Sequence, residues 1–107
     1  MIGCGIDIGG ASLKGARIDL NSGRIIGPVS VHNTPSPATP LAISETIGTM
    51  RQELNVSGAF GCGLPSVVLS GRAKTAANID QGWIDFPVEK YLSDSHGVVV
   101  SVLNGFE

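Results

Sequence analysis

Charge is what this sequence has least of. Only 15% of its 107 residues are Asp, Glu, Lys or Arg, seven basic against nine acidic. The basic residues never cluster, and a protein that neutralises nucleic-acid phosphates needs a basic patch, so no nucleic-acid partner is expected. No apolar run approaches the roughly 20 residues of a membrane span, so no membrane partner is expected either. Met1-Ile2-Gly3 lacks the basic head and apolar middle of a secretory leader, which makes a cytoplasmic protein the expectation. Cysteine occurs only at Cys4 and Cys62, with no CxxC and no Cys/His ligand spacing. Both read as buried free thiols, and no metal ligand set is expected. There is no internal repeat and no low-complexity tract. What is plentiful is apolar character: 42% of residues are hydrophobic, which excludes disorder. A chain of this size forms one domain and buries roughly two-thirds of its unfolded surface. With so little charge to cover that domain, part of its surface is expected to face a partner, and self-association into a homo-oligomer is the expectation.

The pattern along the chain alternates strand and helix signals. Ile2 to Ile8 and Leu13 to Leu20 read as strands joined by the tight reversal Gly9-Gly10-Ala11-Ser12. Asn21 to Arg24 ("NSGR") is a turn, and Ile25 to Val31 a third strand with an irregularity at Gly27-Pro28. Asn33 to Pro40 ("NTPSPATP") is a proline-rich connector. Thr39-Pro40 supplies a hydroxyl cap and a proline at the first helical position. Leu41, Ile43, Ile47, Met50 and Leu54 read as the inward face of the helix that follows, which ends near Asn55. Ala59 to Leu64 is a strand, Leu64-Pro65-Ser66 a turn, Val67 to Leu69 a short strand, and "RAKTAANIDQGW" an irregular segment. Phe86 to Ser95 reads as a short helix with Val88, Tyr91 and Leu92 inward and Gly97 past its end. Val98 to Leu103 is a β-branched, buried strand. The order β-β-β-α-β-α-β predicts an α/β fold: a mixed five-stranded sheet, three antiparallel strands and then parallel ones, flanked by helices.

The chemistry concentrates at "GIDIGGASLKGARIDL", Gly5 to Leu20. It is not a P-loop, because a strand follows the glycines where a helix is needed. Two readings stay open from the residues. In one, Gly9 and Gly10 only supply the positive φ of a hairpin turn. In the other, backbone N–H groups around them face an anion, Ser12 and Lys14 add a hydroxyl and a cation, and Asp7 orients a metal-bound water. Asn78 reads equally as a turn residue beside Asp80, and Trp83 as a core or cleft anchor. His32 and His96 read as loop and helix-end residues without a catalytic role.

The Gly5 to Leu20 stretch resembles the phosphate-binding hairpin of the actin/hexokinase superfamily. "GCGLPSVVLSG" and "TAANIDQGW" resemble stretches of the ROK family of sugar kinases and repressors. With "PATP" and "VVVSVLN", the combination is most similar to the bacterial polyphosphate/ATP-dependent glucokinases of that family. The resemblance covers essentially the whole chain. It implies an actin/hexokinase-like (ribonuclease H-like) N-terminal domain at 1–107, with the second domain of the family absent. It places Asp7, Gly9, Gly10, Ser12 and Lys14 around the phosphoryl donor and Mg²⁺, with ATP or polyphosphate as donor in the parent enzyme. It places Ser66, Asn78 and Asn104 toward a hexose, glucose in the parent, whose 6-hydroxyl is the acceptor.

Two departures from the family pattern stand out. Pro65-Ser66 replaces a Pro-Gly whose glycine lets the backbone approach the sugar. Asn104-Gly105 replaces an Asn-Asp whose Asp takes the proton of the sugar hydroxyl, and Glu107 is no substitute. No catalytic residue is therefore assigned, no cofactor is expected to bind tightly, and the chain alone is expected to be inactive. The alternative is a non-catalytic sugar- or anion-binding, or subunit-interaction, module related to ROK repressors.

Overall fold

The computed structural model describes residues 2–64, 68–69, 72–73 and 86–104. The elements are β1 (Ile2–Ile8), β2 (Ser12–Asp19), β3 (Arg24–Asn33), α1 (Pro40–Glu53), β4 (Phe60–Leu64), β5 (Val68–Leu69), β6 (Arg72–Ala73), α2 (Val88–His96) and β7 (Val100–Asn104). Five strands form one sheet in the order β3-β2-β1-β4-β7, and β5 and β6 form a separate pair. β1, β2 and β3 pair antiparallel; β1 with β4 and β4 with β7 pair parallel. This is the mixed sheet expected from the order of elements.

Alternation along the strands sends one side of the sheet into the core. Cys4, Ile6 and Ile8 of β1, Phe60 and Cys62 of β4, and Val100 and Val102 of β7 are buried with Ile43, Ile47, Met50, Val88 and Leu92 of the two helices. Both cysteines are free and buried, and burial pushes both thiols up. The other side is an open groove of about 730 Å³, lined among others by Gly5, Ala16, Ile18, Ile25, Gly61 and Gly63. Ile25 and Val29 stand 59% and 46% exposed.

The turns follow their residues. Asp19 Oδ1 accepts the Asn21 N–H at 2.9 Å, and Gly23 adopts the φ of 75° that the β2–β3 reversal requires. Gly27, also left-handed, sits where the β2–β3 register shifts between Gly15 and Arg17, as its position beside Pro28 predicts. β3 runs on through Asn33, so the proline-rich connector begins one residue later than its composition indicates, and His32 lies in a strand.

α1 starts as expected: Thr39 Oγ1 accepts the Ala42 N–H at 3.2 Å and Pro40 opens the helix. Ile43, Ile47, Met50 and Leu54 face the core, but Leu41 is 60% exposed. Two residues span about 200° of helix, so Leu41 lies opposite Ile43. The buried stripe instead includes two polar residues, Ser44 and Arg51. Arg51 donates from Nη2 to the Gly58 carbonyl at 3.1 Å and lies 4.9 Å over the Phe60 ring.

α2 begins at Val88 because the residue before Pro87 is held out of the helical region. It ends at the left-handed Gly97, whose N–H donates to the Ser93 carbonyl at 2.8 Å. That reversal leaves Val98 and Val99 to cross to the sheet, so β7 begins at Val100 and not at Val98. The segment after Leu69 is not wholly irregular, since Arg72–Ala73 pairs antiparallel with Val68–Leu69.

His96 closes the junction of the two helices. It shares a 3.1 Å hydrogen bond with Ser44 Oγ and meets the Phe60 ring edge-on at 5.4 Å. Burial, and then the nearby Arg51 guanidinium, hold its pKa below the usual 6.5, while the Ser44 contact works against them. The neutral ring is favoured in the fold, so stability is full above the unfolded pKa and is lost as pH falls through the lowered folded one. Between about pH 7.5 and about pH 5.5, the urea midpoint of the native chain should fall, and that of His96→Gln should fall less. Equal slopes in the two proteins would refute this origin.

Candidate phosphate site

β1 delivers its carboxyl end to one edge of the sheet. Ile8 and Leu13, register partners, are fully buried and fix the two strands below the reversal. Asp7 and Lys14 are also partners, so their side chains leave the same face side by side. Both are exposed, and neither has an ion-pair partner among the described residues. Gly10 and Ala11 at the crest are exposed, Ser12 is half-buried, and Gly9 is buried.

The turn is tied from within and from β3. The Gly9 N–H donates to the Ser12 carbonyl at 3.0 Å. The Gly9 carbonyl accepts the Thr34 hydroxyl at 2.7 Å, and the Ala11 carbonyl accepts the Thr34 N–H at 3.0 Å. Among the described residues the N–H groups of Gly10 and Ala11 have no partner. Among the described residues the left-handed glycines are Gly23, Gly27 and Gly97; Gly9 and Gly10 are not among them. Gly9 and Gly10 therefore do not supply the positive φ that the hairpin reading gave them.

Parallel pairing brings the ends of β4 and β7 to this edge. Asp7 is in register with Gly63 and Leu64 with Asn104, so β1, β4 and β7 end together. The carboxyl ends of parallel strands are where open α/β sheets take their ligands. The backbone of Asn104 lies there; Ser66, Asn78, Asp80, Trp83, Gly105 and Glu107 lie outside the described residues. The site thus brings together Asp7, Gly9, Gly10, Ser12 and Lys14.

Two polar clusters were not anticipated from the sequence. One is Thr34, read only as part of a connector; its signal was the β2–β3 pairing, which places the residue after Asn33 beside the turn. The other is Glu53, whose Oε1 accepts the Ser30 hydroxyl at 2.7 Å and lies 2.8 Å from His32 Nε2. These two contacts, that of His32 first, hold the Glu53 carboxyl below its usual range. Both reach the same oxygen, so they pin the end of α1 to β3 and build no Ser–His relay.

No family model matches the chain. The polyphosphate glucokinase of Mycobacterium tuberculosis is 39% identical over 103 residues, which is 95% of this chain and 39% of that protein. The chain thus spans well under half the length of that relative. The crystal structure of an inorganic polyphosphate/ATP-glucomannokinase from Arthrobacter superposes with a TM-score of 0.91 at 31% identity, over 96% of this chain and 44% of the other. A ROK family glucokinase from Streptomyces griseus, in complex with glucose and AMPPNP, gives 0.82 at 27% identity, over 97% and 33%. The chain is thus homologous, along nearly all of its 107 residues, to part of polyphosphate glucokinase, and it shares its fold with a ROK family glucokinase.

Proposed function

We propose that this chain is the N-terminal, phosphate-holding domain of a polyphosphate/ATP glucokinase-like sugar kinase. In the whole protein the reaction is phosphoryl transfer to the 6-hydroxyl of a hexose, glucose in the first instance. One observation carries the reading: N–H groups of Gly10 and Ala11, without partners among the described residues, crest a turn flanked by Ser12, Lys14 and Asp7, which has no ion-pair partner among those residues either. The N–H groups and Lys14 are suited to phosphate oxygens, and the hydroxyl of Ser12 to a further one. The exposed carboxylate of Asp7 fits a Mg²⁺ ion held through its water, and the metal would neutralise charge on the transferred group. Ser66, Asn78 and Asn104 form the sugar side of the proposal. Gly105 gives the chain no base at the position where the family carries aspartate.

Sodium tripolyphosphate tests the donor half directly. Added to ¹⁵N-labelled protein, it should shift the amides of Gly10, Ala11 and Ser12, with a weak affinity on the order of millimolar. Lys14→Ala removes an exposed charge and should weaken that binding about tenfold without unfolding the chain. Unmoved amides would sink the reading.

The proposal extends to association. The open sheet face carries apolar ridges beside a glycine-lined trough, a shape that two copies can share about a two-fold axis. Sedimentation at high concentration should show dimers or larger species, reduced by Ile25→Lys. A strict monomer would contradict it.

A further inference from the structure

We propose that Thr34 is a positioning residue for the phosphate site, holding the Gly9–Ser12 turn so that its N–H groups face the donor. The proposal rests on the phosphate-binding reading of that turn. Thr34 follows the last residue of β3, and Asn33 is in register with Ser12. It therefore sits beside the crest without belonging to it. Its hydroxyl donates to the Gly9 carbonyl at 2.7 Å, and its N–H to the Ala11 carbonyl at 3.0 Å.

A peptide group is planar and trans, so its C=O and the following N–H point in opposite directions. Drawing the Gly9 carbonyl toward Thr34 turns the Gly10 N–H away from it. Drawing the Ala11 carbonyl the same way turns the Ser12 N–H away. The two bonds from Thr34 thus turn the Gly10 N–H, which has no partner among the described residues, and the Ser12 N–H beside the crest to the side of the turn away from Thr34. They also remove from that side the two carbonyl oxygens that would repel a phosphate. Glycine leaves the turn free to take many conformations, and this contact selects one of them. Binding to a turn already fixed avoids the cost of ordering it.

The two bonds separate by mutation. The Thr34 N–H bond survives any replacement other than proline, whereas the other bond needs a side-chain hydroxyl at position 34. Gly9 is buried, so its carbonyl has little access to water when the hydroxyl goes. Thr34→Val keeps the β-branched shape and removes the donor; Thr34→Ser keeps the donor.

The test is a tripolyphosphate titration of the ¹⁵N-labelled 107-residue chain and the two variants. Thr34→Val should bind about three- to tenfold more weakly, with the Gly10 and Ser12 amides displaced before any ligand is added. Thr34→Ser should bind like the native chain, a rescue that loss of packing does not explain. In the native chain the Thr34 hydroxyl proton should be protected from exchange, a reading that stands even if Thr34→Val fails to fold. Native affinity in Thr34→Val, or an unprotected hydroxyl proton, would overturn the role of Thr34. Native protein whose turn amides ignore tripolyphosphate would instead overturn the phosphate site, and the role of Thr34 with it.

Discussion

Mixed with glucose and either ATP or polyphosphate, the 107-residue polypeptide is expected to form no glucose 6-phosphate above background. In the proposed site, the donors of the turn and one cation, Lys14, stand on an exposed edge. Phosphoryl transfer depends almost entirely on positioning and electrostatic stabilisation, and an open edge supplies little of either. On the proposed reading, glycine in place of aspartate at position 105 removes a general base, a loss of roughly 10²- to 10⁴-fold. Failure to hold donor and acceptor in line costs more, because orientation alone is worth effective molarities of about 10⁵ to 10⁸ M. Gly105→Asp is therefore expected to restore nothing in this polypeptide: a base with no aligned donor has no proton to take. A coupled assay for glucose 6-phosphate on both proteins decides the matter. Turnover proportional to the native chain would overturn the importance given to position 105. Turnover by Gly105→Asp alone would show that the base was the one part lacking.

Much of this fold is legible because it is written locally. The alternation in Ile2–Ile8, the Thr39-Pro40 start of α1 and the Gly97 stop of α2 each involve residues within a few positions of one another. What was not legible depends on register or on distant partners. Thr34 reaches Gly9 only because β3 continues its pairing with β2 through Asn33, one residue beyond the apparent start of the connector. Nothing local marks Arg51 for burial; it is buried with Gly58 and Phe60, which arrive from the next loop and strand. Arg72–Ala73 is too short to carry a period and is a strand only through its pairing with Val68–Leu69. At the site, the residue types at Asp7, Ser12 and Lys14 pointed to a phosphate. The conformation of the turn, with Gly9 and Gly10 outside the left-handed region, lay beyond what two adjacent glycines can say. Leu41 was placed inward because hydrophobicity outweighed angle, and the helix corrects it.

That correction gives the fold its sharpest test. Ile47 is fully buried near the middle of α1, between Ile43 and Met50 on the face that meets β1 and β4. Ile47→Ala removes its side chain from a core with no room to collapse fully, and should cost about 2–5 kcal/mol. Alanine's better helix propensity returns only a few tenths of that. For a domain whose whole stability is on the order of 5–15 kcal/mol, such a loss brings the chain close to unfolding. Leu41→Ala truncates a side chain of similar size on the same helix, but one that is 60% exposed. It should change stability by no more than about 0.5 kcal/mol. Urea unfolding of both variants, with the slope unchanged from the native chain, gives the comparison directly. A midpoint for Leu41→Ala as low as that for Ile47→Ala would mean that α1 is rotated on its axis. Leu41 would then belong to the core, and the Ser44 and Arg51 contacts that depend on the present rotation would be lost with it.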